Sequence, residues 1–331
     1  MSISTLKRVF VSSSVIILAI LSGGLVAHAA TGGASGLSIS PLRQELTLKP
    51  GQADKIDVTL KNITGGPVIA KAYVRDFQSD NTTGNPKVIT DPKIKSSASI
   101  SPFIVGIEDV PLAVGEQKTI SIPVQAPDNA VPGAYYGLIE YQAVPQNADG
   151  TANTNNQVAL SASVSQLVFI TVPGNSSYKM AITAIHIYKD KAGTNEGIFF
   201  THVPSTIGIE MRNIGNAFAT PFGHVSLQNS EGKEIYSYEM NGSITRGIVL
   251  PNSSRIFKDP IKNITRPGRY TIVANLSYGS GSAILTAKKS FWYIPAWVMF
   301  VTAGVIVLLV VAAVLVRRRY TREAPRRFHQ D

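Results

Sequence analysis

The chain has 331 residues, no cysteine and a formal net charge of +10. The lack of cysteine excludes a fold held by disulfides, so each domain needs its own hydrophobic core. The charge does not indicate a nucleic-acid binder, because the basic clusters lie near the two ends and no basic patch lies between them.

The first thirty residues have the composition of a secretory signal peptide. Lys7 and Arg8 precede an uncharged apolar run that ends in small residues. A permanent N-terminal anchor is the competing interpretation, but the short run and its A-x-A ending favour cleavage at Ala29 or Ala30. We therefore expect residues 1–30 to be a signal peptide and the rest of the chain to be exported.

Between residues 36 and 290 the sequence predicts strands and no amphipathic helix. Short β-branched runs are separated by Pro, Gly and Asn turns, a pattern typical of β-sandwiches. Ile56, Val58 and Leu60, for example, alternate with polar residues. The fold class that we predict is all-β, with two tandem immunoglobulin-like β-sandwich domains and one C-terminal transmembrane helix.

Parts of this region repeat each other. Val58-Thr-Leu60-Lys-Asn62 reappears as Ile209-Glu-Met211-Arg-Asn213, and Pro132-Gly-Ala-Tyr135 reappears as Pro267-Gly-Arg-Tyr270. The repeat predicts a duplicated module, and each copy is long enough to bury a core. We expect both repeated tyrosines to be structural, with a buried ring and a hydroxyl that bonds the backbone.

We place the first module at residues 36–173 and the second at 178–290, because residues 173–177 form a turn-rich hinge. Residues 147–156 contain no apolar side chain larger than Ala, which predicts a mobile hairpin loop. Asp149-Gly150 within it is a weak calcium motif, because a hard cation needs several carboxylates.

Residues 294–316 contain no charge and can cross a hydrocarbon core at about 1.5 Å per residue. Trp292 and Trp297 flank the outer end, and the arginines of the basic tail 317–331 follow the inner end. The positive-inside rule then predicts a cytoplasmic C-terminus. No sortase motif and no stalk precede the helix, so we expect a single-pass protein of the cell membrane. Its N-terminal ectodomain would lie outside the membrane. In a thick-walled cell, this ectodomain would lie within or under the wall.

Seven N-x-S/T sequons occur, which we ascribe to β-turns rather than to glycosylation. They begin at Asn62, Asn81, Asn175, Asn241, Asn252, Asn263 and Asn275.

Catalytic motifs are absent from the sequence. His186, His202 and His224 match no metal-ligand spacing, and we expect them to be surface residues. Ser230-Glu-Gly-Lys233 matches the S-x-x-K string of penicillin-binding enzymes, but it lies between two predicted hairpin strands, which indicates a turn. We therefore predict that the protein is not an enzyme and uses no metal or cofactor.

The strand after Pro132-Gly133 supplies the candidate binding residues. Tyr135 and Ile139 lie on one side, yet Tyr136 and Leu138 on the other side are also large and apolar. Either the loop 79–105 or the second module covers them, or they form an exposed patch for a sugar ring or a partner side chain. On the second interpretation, Tyr136 and Leu138 are the ligand-binding residues, with the loop 147–156 above them as a flap.

The motifs of the two modules carry a family resemblance. They are Leu48-Lys-Pro50-Gly51-Gln52, Leu112-Ala-Val-Gly115 and Pro132-Gly-Ala-Tyr135, then Arg212-Asn213-Ile-Gly215-Asn216 and Arg266-Pro-Gly-Arg-Tyr270. This arrangement resembles the DUF916 or WxL-interacting-protein family. The resemblance implies a cell-surface protein whose first domain binds peptidoglycan and whose second binds a partner protein, alongside WxL-domain proteins.

Together these features predict a membrane-anchored, extracellular binding protein of the cell envelope. Its expected partners are cell-wall polymer (peptidoglycan), surface proteins such as WxL-domain proteins, and the lipid bilayer through residues 294–316. No nucleic acid is expected. The alternative is a structural or chaperone-like component of a surface-protein assembly.

Overall fold

The computed structural model describes residues 36–91, 93–94, 96–147, 151–152, 163–279 and 284–323. The predicted signal peptide, most of the loop at 147–156 and the weak calcium motif Asp149-Gly150 lie outside the described residues. The strands of the first half are β1 (Leu37–Ser40), β2 (Arg43–Thr47), β3 (Ala53–Asn62), β4 (Val68–Arg75), β5 (Phe77–Ser79), β6 (Pro86–Val88), β7 (Val110–Leu112), β8 (Gln117–Gln125), β9 (Gly133–Pro145) and β10 (Ser163–Val172). Those of the second half are β11 (Met180–Tyr188), β12 (Phe199–Phe200), β13 (Thr206–Asn213), β14 (Phe222–Gln228), β15 (Glu234–Met240), β16 (Ser254–Pro260), β17 (Gly268–Ser277) and β18 (Leu285–Tyr293), followed by the helix α1 (Ala296–Glu323).

The first module is a sandwich of a three-stranded and a five-stranded sheet. The strand orders are β1-β3-β8 and β2-β10-β9-β4-β7, with β2 parallel to β10. Their facing sides enclose one apolar core, in which Ile56, Val58 and Leu60 are fully buried, as the alternation in β3 predicts. An additional hairpin, β5–β6, stands outside the two sheets.

The second module repeats this topology strand for strand. Its orders are β11-β13-β16 and β12-β18-β17-β14-β15, with β12 parallel to β18. The correspondence pairs β3 with β13, β8 with β16 and β9 with β17, which confirms the predicted tandem all-β fold. A separate apolar core fills this sandwich as well.

Both repeated tyrosines bond the backbone as predicted, but only Tyr270 has the buried ring that we expected, since Tyr135 is half-buried. Tyr270 is buried, and its hydroxyl donates to the backbone oxygen of Arg266 at 2.6 Å. The hydroxyl of Tyr135 donates to the oxygen of Val131 at 2.9 Å, and its ring lies 4.6 Å from that of Phe103. Each hydroxyl thus fixes the turn just before its strand, through the backbone oxygen four residues before the tyrosine.

The repeated asparagines hold equivalent corners. The buried Asn213 amide donates to the backbone oxygens of Ala217 and Val249 at 2.8 and 3.0 Å and accepts from the Gly215 nitrogen at 3.0 Å. Asn62 makes the same kind of contacts, including a bond to the oxygen of Ala113 at 3.0 Å. A buried amide in this position satisfies backbone groups that would otherwise be unpaired.

Four of the sequon asparagines adopt a left-handed backbone conformation that turns require. They are Asn81, Asn241, Asn252 and Asn263, and they are the only non-glycine residues with positive φ among those described. Asparagine tolerates this conformation better than other residues with a side chain. These four fit the predicted ascription to turns, whereas Asn62 and Asn275 lie in strands β3 and β17.

The helix does not begin at residue 294 as expected but at Ala296, and it continues past residue 316 to Glu323. Ile294 follows β18 and is still bonded to the sheet, because its nitrogen donates to the oxygen of Phe200 at 2.8 Å. Arginine is a good helix former, so the helix continues into the basic segment. Residues 296–320 are long and apolar enough to span a membrane.

Candidate functional site

The predicted binding residues lie in an apolar seam between the two modules. Leu138 and Phe169 of the first sandwich and Phe77 of the β5–β6 hairpin are buried against Ile248 and Leu250 of the second module. Tyr136, Leu167 and Phe218 are half-buried and pack against the same cluster. This set of eight residues is called the seam below.

Aromatic contacts join the modules directly. The Phe218 ring of the second module lies 5.3 Å from Phe169 in an edge-to-face arrangement and 6.1 Å from Tyr136. The Tyr136 ring is in turn 5.1 Å from Phe77. Burial raises the pKa of the Tyr136 hydroxyl, and the charge of Asp76 adds to that shift. Tyr136 is therefore surrounded by this chain's own side chains.

Of the two proposed covers, the second module packs on the Tyr136 and Leu138 side chains, whereas the segment 79–105 lies beside β9 at the edge of the sheet. The nitrogen of Tyr136 donates to the oxygen of Ala98 at 2.8 Å, so the segment within 79–105 lies alongside β9. The second module covers Leu138 through the seam. The apolar outer face of β9 is thus explained by intramolecular packing. A ligand-binding role for Tyr136 and Leu138 stays a prediction, and the exposed patch that it needs is not on the described surface.

The linker between the modules is tied to both of them by Asn216. Its side-chain oxygen accepts from the Ser177 nitrogen at 2.7 Å, and its backbone oxygen accepts from the Ala134 nitrogen at 3.0 Å. Its amide also donates to the oxygen of Pro132 at 3.4 Å. The segment that the sequence suggested as a hinge is therefore anchored at the base of β9.

The turn of the β5–β6 hairpin reaches from the first module onto β16 of the second. The oxygen of Thr82 accepts from the Ile256 nitrogen at 2.7 Å, and the side-chain oxygen of Asn81 accepts from the Ser254 nitrogen at 3.2 Å. These bonds pair the outer edge of β16 with the hairpin. We call residues 80–85 the clasp.

The Asp80 carboxylate stabilises the clasp by accepting hydrogen bonds from its backbone. Its carboxylate accepts from the nitrogens of Thr82, Thr83 and Gly84 at 2.9, 2.9 and 2.8 Å. Desolvation acts to raise the pKa of Asp80, but these bonds and that of the Thr83 hydroxyl hold it below its usual range. Gly84 has φ +77°, and a Cβ there would lie 2.6 Å from the Arg255 side chain, so a larger residue would be strained and would displace Arg255.

Two arginines complete the contact. The guanidinium of Arg43 donates to the oxygen of Arg246 at 2.9 Å and lies 5.2 Å from the Phe169 ring. Arg255 donates to the oxygen of Ile248 at 3.1 Å. Burial is the main cause that lowers the pKa of Arg255. The negative charge of Asp80 acts to raise this pKa, and the positive charge of Arg43 acts to lower it. Apolar, polar and charged contacts thus all join the modules.

The edge of β8, which corresponds to the covered edge of β16, is open over Gln117–Ser121. On the inner side of β8, the Asn62 nitrogen of the neighbouring β3 donates to the backbone oxygen of Glu116 at 2.9 Å. On the outer side, the Val105 nitrogen donates to the backbone oxygen of Pro123 at 3.1 Å. Because backbone groups alternate between the sides of a strand, Gln117, Thr119 and Ser121 face away from β3. In the described part of the chain, no strand and no backbone group pairs with them.

The histidines lie apart from this edge, each with its own partners. His186 lies 2.9 Å from Glu196 and 3.4 Å from Glu210, and His224 lies 3.2 Å from Glu239. Within the described residues no group of three or more His, Asp or Glu could hold a metal.

The S-x-x-K string is a turn, as predicted. The side-chain oxygen of Asn229 accepts from the nitrogens of Glu231 and Lys233 at 3.0 and 2.9 Å. Both Ser230 and Lys233 are exposed at the tip of the β14–β15 hairpin.

Sequence reasoning missed three features of this region: the clasp, the anchoring of the linker by Asn216, and the open edge. The string Asp80-Asn-Thr-Thr-Gly84-Asn is a recognisable turn signal. Nothing in it indicates that the turn meets a strand more than 170 residues later, as the Asn81–Ser254 bond shows.

Comparison with known proteins gives fold likenesses only. No protein-family model and no curated protein matches the chain. Among solved structures, the class 5 fimbriae chaperone CfaA is 13% identical, with 78% of this chain and 100% of that chain covered and a TM-score of 0.38. The CupB2 chaperone of Pseudomonas aeruginosa is 10% identical (77% and 100% covered, TM-score 0.33). The Salmonella enterica SafB chaperone, in complex with the SafA pilin, is 12% identical (76% and 95% covered, TM-score 0.32). At such TM-scores the likeness carries no argument about function.

Proposed function

We propose that the protein is a membrane-anchored, non-enzymatic component of the cell envelope that binds another surface protein by strand addition at β8. The observation that carries this proposal is the open edge at Gln117–Ser121. The corresponding edge of β16 in the second module is, by contrast, covered by the clasp. An extended segment of a partner can pair with exposed backbone groups of such an edge.

The contacts between the modules support a scaffold rather than a flexible linker protein. The seam, the clasp and Asn216 hold the two sandwiches in one relative position, so β8 is presented at a set orientation to the helix. Lys118 lies in the middle of the open edge, and a charged residue there discourages pairing with β8 of a second copy. We infer that the partner is a different chain.

The proposal follows the chaperone-like or structural alternative, with another surface protein as the partner. Membership of the WxL-interacting-protein family, and WxL-domain proteins as the partners, are part of the same proposal. Peptidoglycan is the competing ligand. The proposed orientation has the sandwiches outside the cell membrane and the arginines after the apolar segment inside, by the positive-inside rule.

Thr119→Pro tests the edge directly. It removes an outward backbone donor and leaves the bonds between β3 and β8 in place, because proline is tolerated where the strand nitrogen faces away from the sheet. Thr119→Val is the matched control, since it also loses the 2.9 Å contact between the Thr119 and Thr59 hydroxyls but keeps the nitrogen.

Purified full-length chain, immobilised in detergent, is exposed separately to a surface-protein extract and to isolated wall polymer. We expect wild type and Thr119→Val to retain a surface protein, and Thr119→Pro to lose it at an unchanged melting temperature. Equal retention by Thr119→Pro would refute strand addition at this edge. Retention of wall polymer alone would replace the proposal with wall binding.

A further inference from the structure

The end of the second module that adjoins the helix exposes large apolar side chains. β12 and β18 run parallel, with Phe199 opposite Trp292 and Phe200 opposite Tyr293. The bond from the Ile294 nitrogen to the oxygen of Phe200 ties β12 to the residues that lead into α1. The ends of both strands therefore lie beside the start of the helix.

The two sides of these strands differ. Phe200 and Phe291 turn inward and pack edge to face at 5.6 Å. Phe199 and Trp292 lie on the outer side and are 61% and 43% exposed. Ile198, whose oxygen accepts from the Trp292 nitrogen at 2.8 Å, is also exposed. We call Ile198, Phe199 and Trp292 the apolar ledge.

One basic side chain lies next to this ledge, and two more precede that residue in the chain. Arg269 is opposite Trp292 in the β17–β18 pairing, and Lys262 and Arg266 are exposed in the turn before β17. Among the described residues none of these three forms a salt bridge, although Arg269 donates to the Ser290 hydroxyl at 3.1 Å. The cluster is apolar at its centre and positive beside it.

The helix leaves little room between the ledge and a bilayer. At about 1.5 Å per residue, the uncharged residues 296–316 cover roughly 30 Å, which equals the thickness of a hydrocarbon core. Their first residue therefore lies at the core boundary. Pro295, just before it, is buried against the module, so no flexible stalk lifts the sandwich away.

We propose that the apolar ledge rests in the outer interface of the bilayer that α1 spans, with Arg266 and Arg269 beside anionic lipid headgroups. Tryptophan suits this layer because its ring is apolar with one polar N–H, and phenylalanine can enter the apolar side of the same layer. Basic side chains at a membrane surface are attracted to anionic lipid. The second module would then lie against the membrane and hold the first module at a set height and tilt. This inference rests on the membrane anchorage in the proposed function.

Fluorescence of single tryptophans tests the contact, because Trp292 and Trp297 are the only tryptophans of the chain. Trp292 and Trp297 are first replaced by Phe. Phe199→Trp then places a single tryptophan, the fluorescent probe, on the ledge and far in sequence from the helix. Ile284→Trp, in the same background, is the matched control. Ile284 is also exposed but precedes the opposite end of β18, about 30 Å away at roughly 3.3 Å per residue.

The full-length variants are reconstituted in phosphatidylcholine vesicles with and without phosphatidylglycerol. We expect lipids with a shallow nitroxide to quench the probe at 199 but not the probe at 284. Aqueous iodide should quench the probe at 199 several-fold less than the probe at 284. Adding phosphatidylglycerol should lower quenching at 199 by the neutral quencher acrylamide, and Arg266→Gln with Arg269→Gln should abolish that effect.

Equal iodide quenching at both positions, in protein that floats with the vesicles and keeps its melting temperature, would overturn the ledge contact but leave the anchor intact. Protein that fails to float with the vesicles would refute the anchor itself, and the ledge contact with it. An effect of phosphatidylglycerol that survives both arginine substitutions would overturn the assignment of these arginines to headgroups.

Discussion

Phe218→Ala should uncouple the two modules without damage to either core. Phe218 packs on the seam and not on the core of its own sandwich. A fully covered aromatic side chain buries on the order of 150–250 Å². Phe218 is half-buried, so at about 25 cal/mol per Å² its truncation should cost roughly 2 to 3 kcal/mol of interface free energy.

The measurement is calorimetric and chemical unfolding of the full chain in detergent. In wild type the seam, the clasp and Asn216 should make the sandwiches unfold together. In Phe218→Ala the transition should broaden or separate into two, since each module keeps its own core. A double-mutant cycle with Phe169→Ala should show a coupling of about 1 kcal/mol for the edge-to-face pair.

Phe199→Ala is the control, because it is the same substitution in the same module at a residue that is mostly exposed. It should change the unfolding free energy by less than about 0.5 kcal/mol in detergent. An unchanged single transition in Phe218→Ala, or a coupling of zero with Phe169, would mean that the seam does not hold the modules together.

Tyr270→Phe removes only the hydroxyl bond to Arg266 and should cost about 1 kcal/mol in denaturant unfolding, whereas Tyr270→Ala should cost about 3 to 5 kcal/mol; equal costs would contradict a separate role for the ring. Asp190 accepts from the nitrogens of Thr194 and Asn195 at 2.9 and 3.0 Å, and these bonds hold its pKa well below the usual range. Because the folded-state pKa is depressed, the contribution to stability is complete above about pH 4 and is lost as the pH falls further. Asp190→Asn should therefore flatten the acid limb of a melting-temperature profile, and an unchanged limb would refute this assignment.

Local sequence determined the strands, the turns and the duplication of this protein. Alternation in β3 is a property of neighbouring residues, and a side chain two positions away lies on the same face whatever the rest of the fold does. The role of Tyr270 was also predicted, because its partner lies in the adjoining turn and the repeat shows the motif twice. The helix was predicted from length and apolarity, which need no tertiary context.

Only the tertiary structure decided what covers Tyr136 and Leu138. The sequence showed that both sides of β9 are apolar, but it could not choose between a ligand and a second module. The cover comes from Phe218, Ile248 and Leu250, which are distant in sequence and reach β9 through the relative placement of two sandwiches. That placement depends on Asn216 and on the clasp.

The open edge of β8 was hidden for the same reason. The segments Gln117–Ser121 of β8 and Ser254–Pro260 of β16 both form strands, and neither sequence shows what lies beside its outer edge. Whether an edge is paired depends on what the rest of the chain brings beside it, and here one turn of the first module reaches β16 and leaves β8 open. Backbone pairing between distant segments carries no side-chain signature, so it could be seen only in the folded chain.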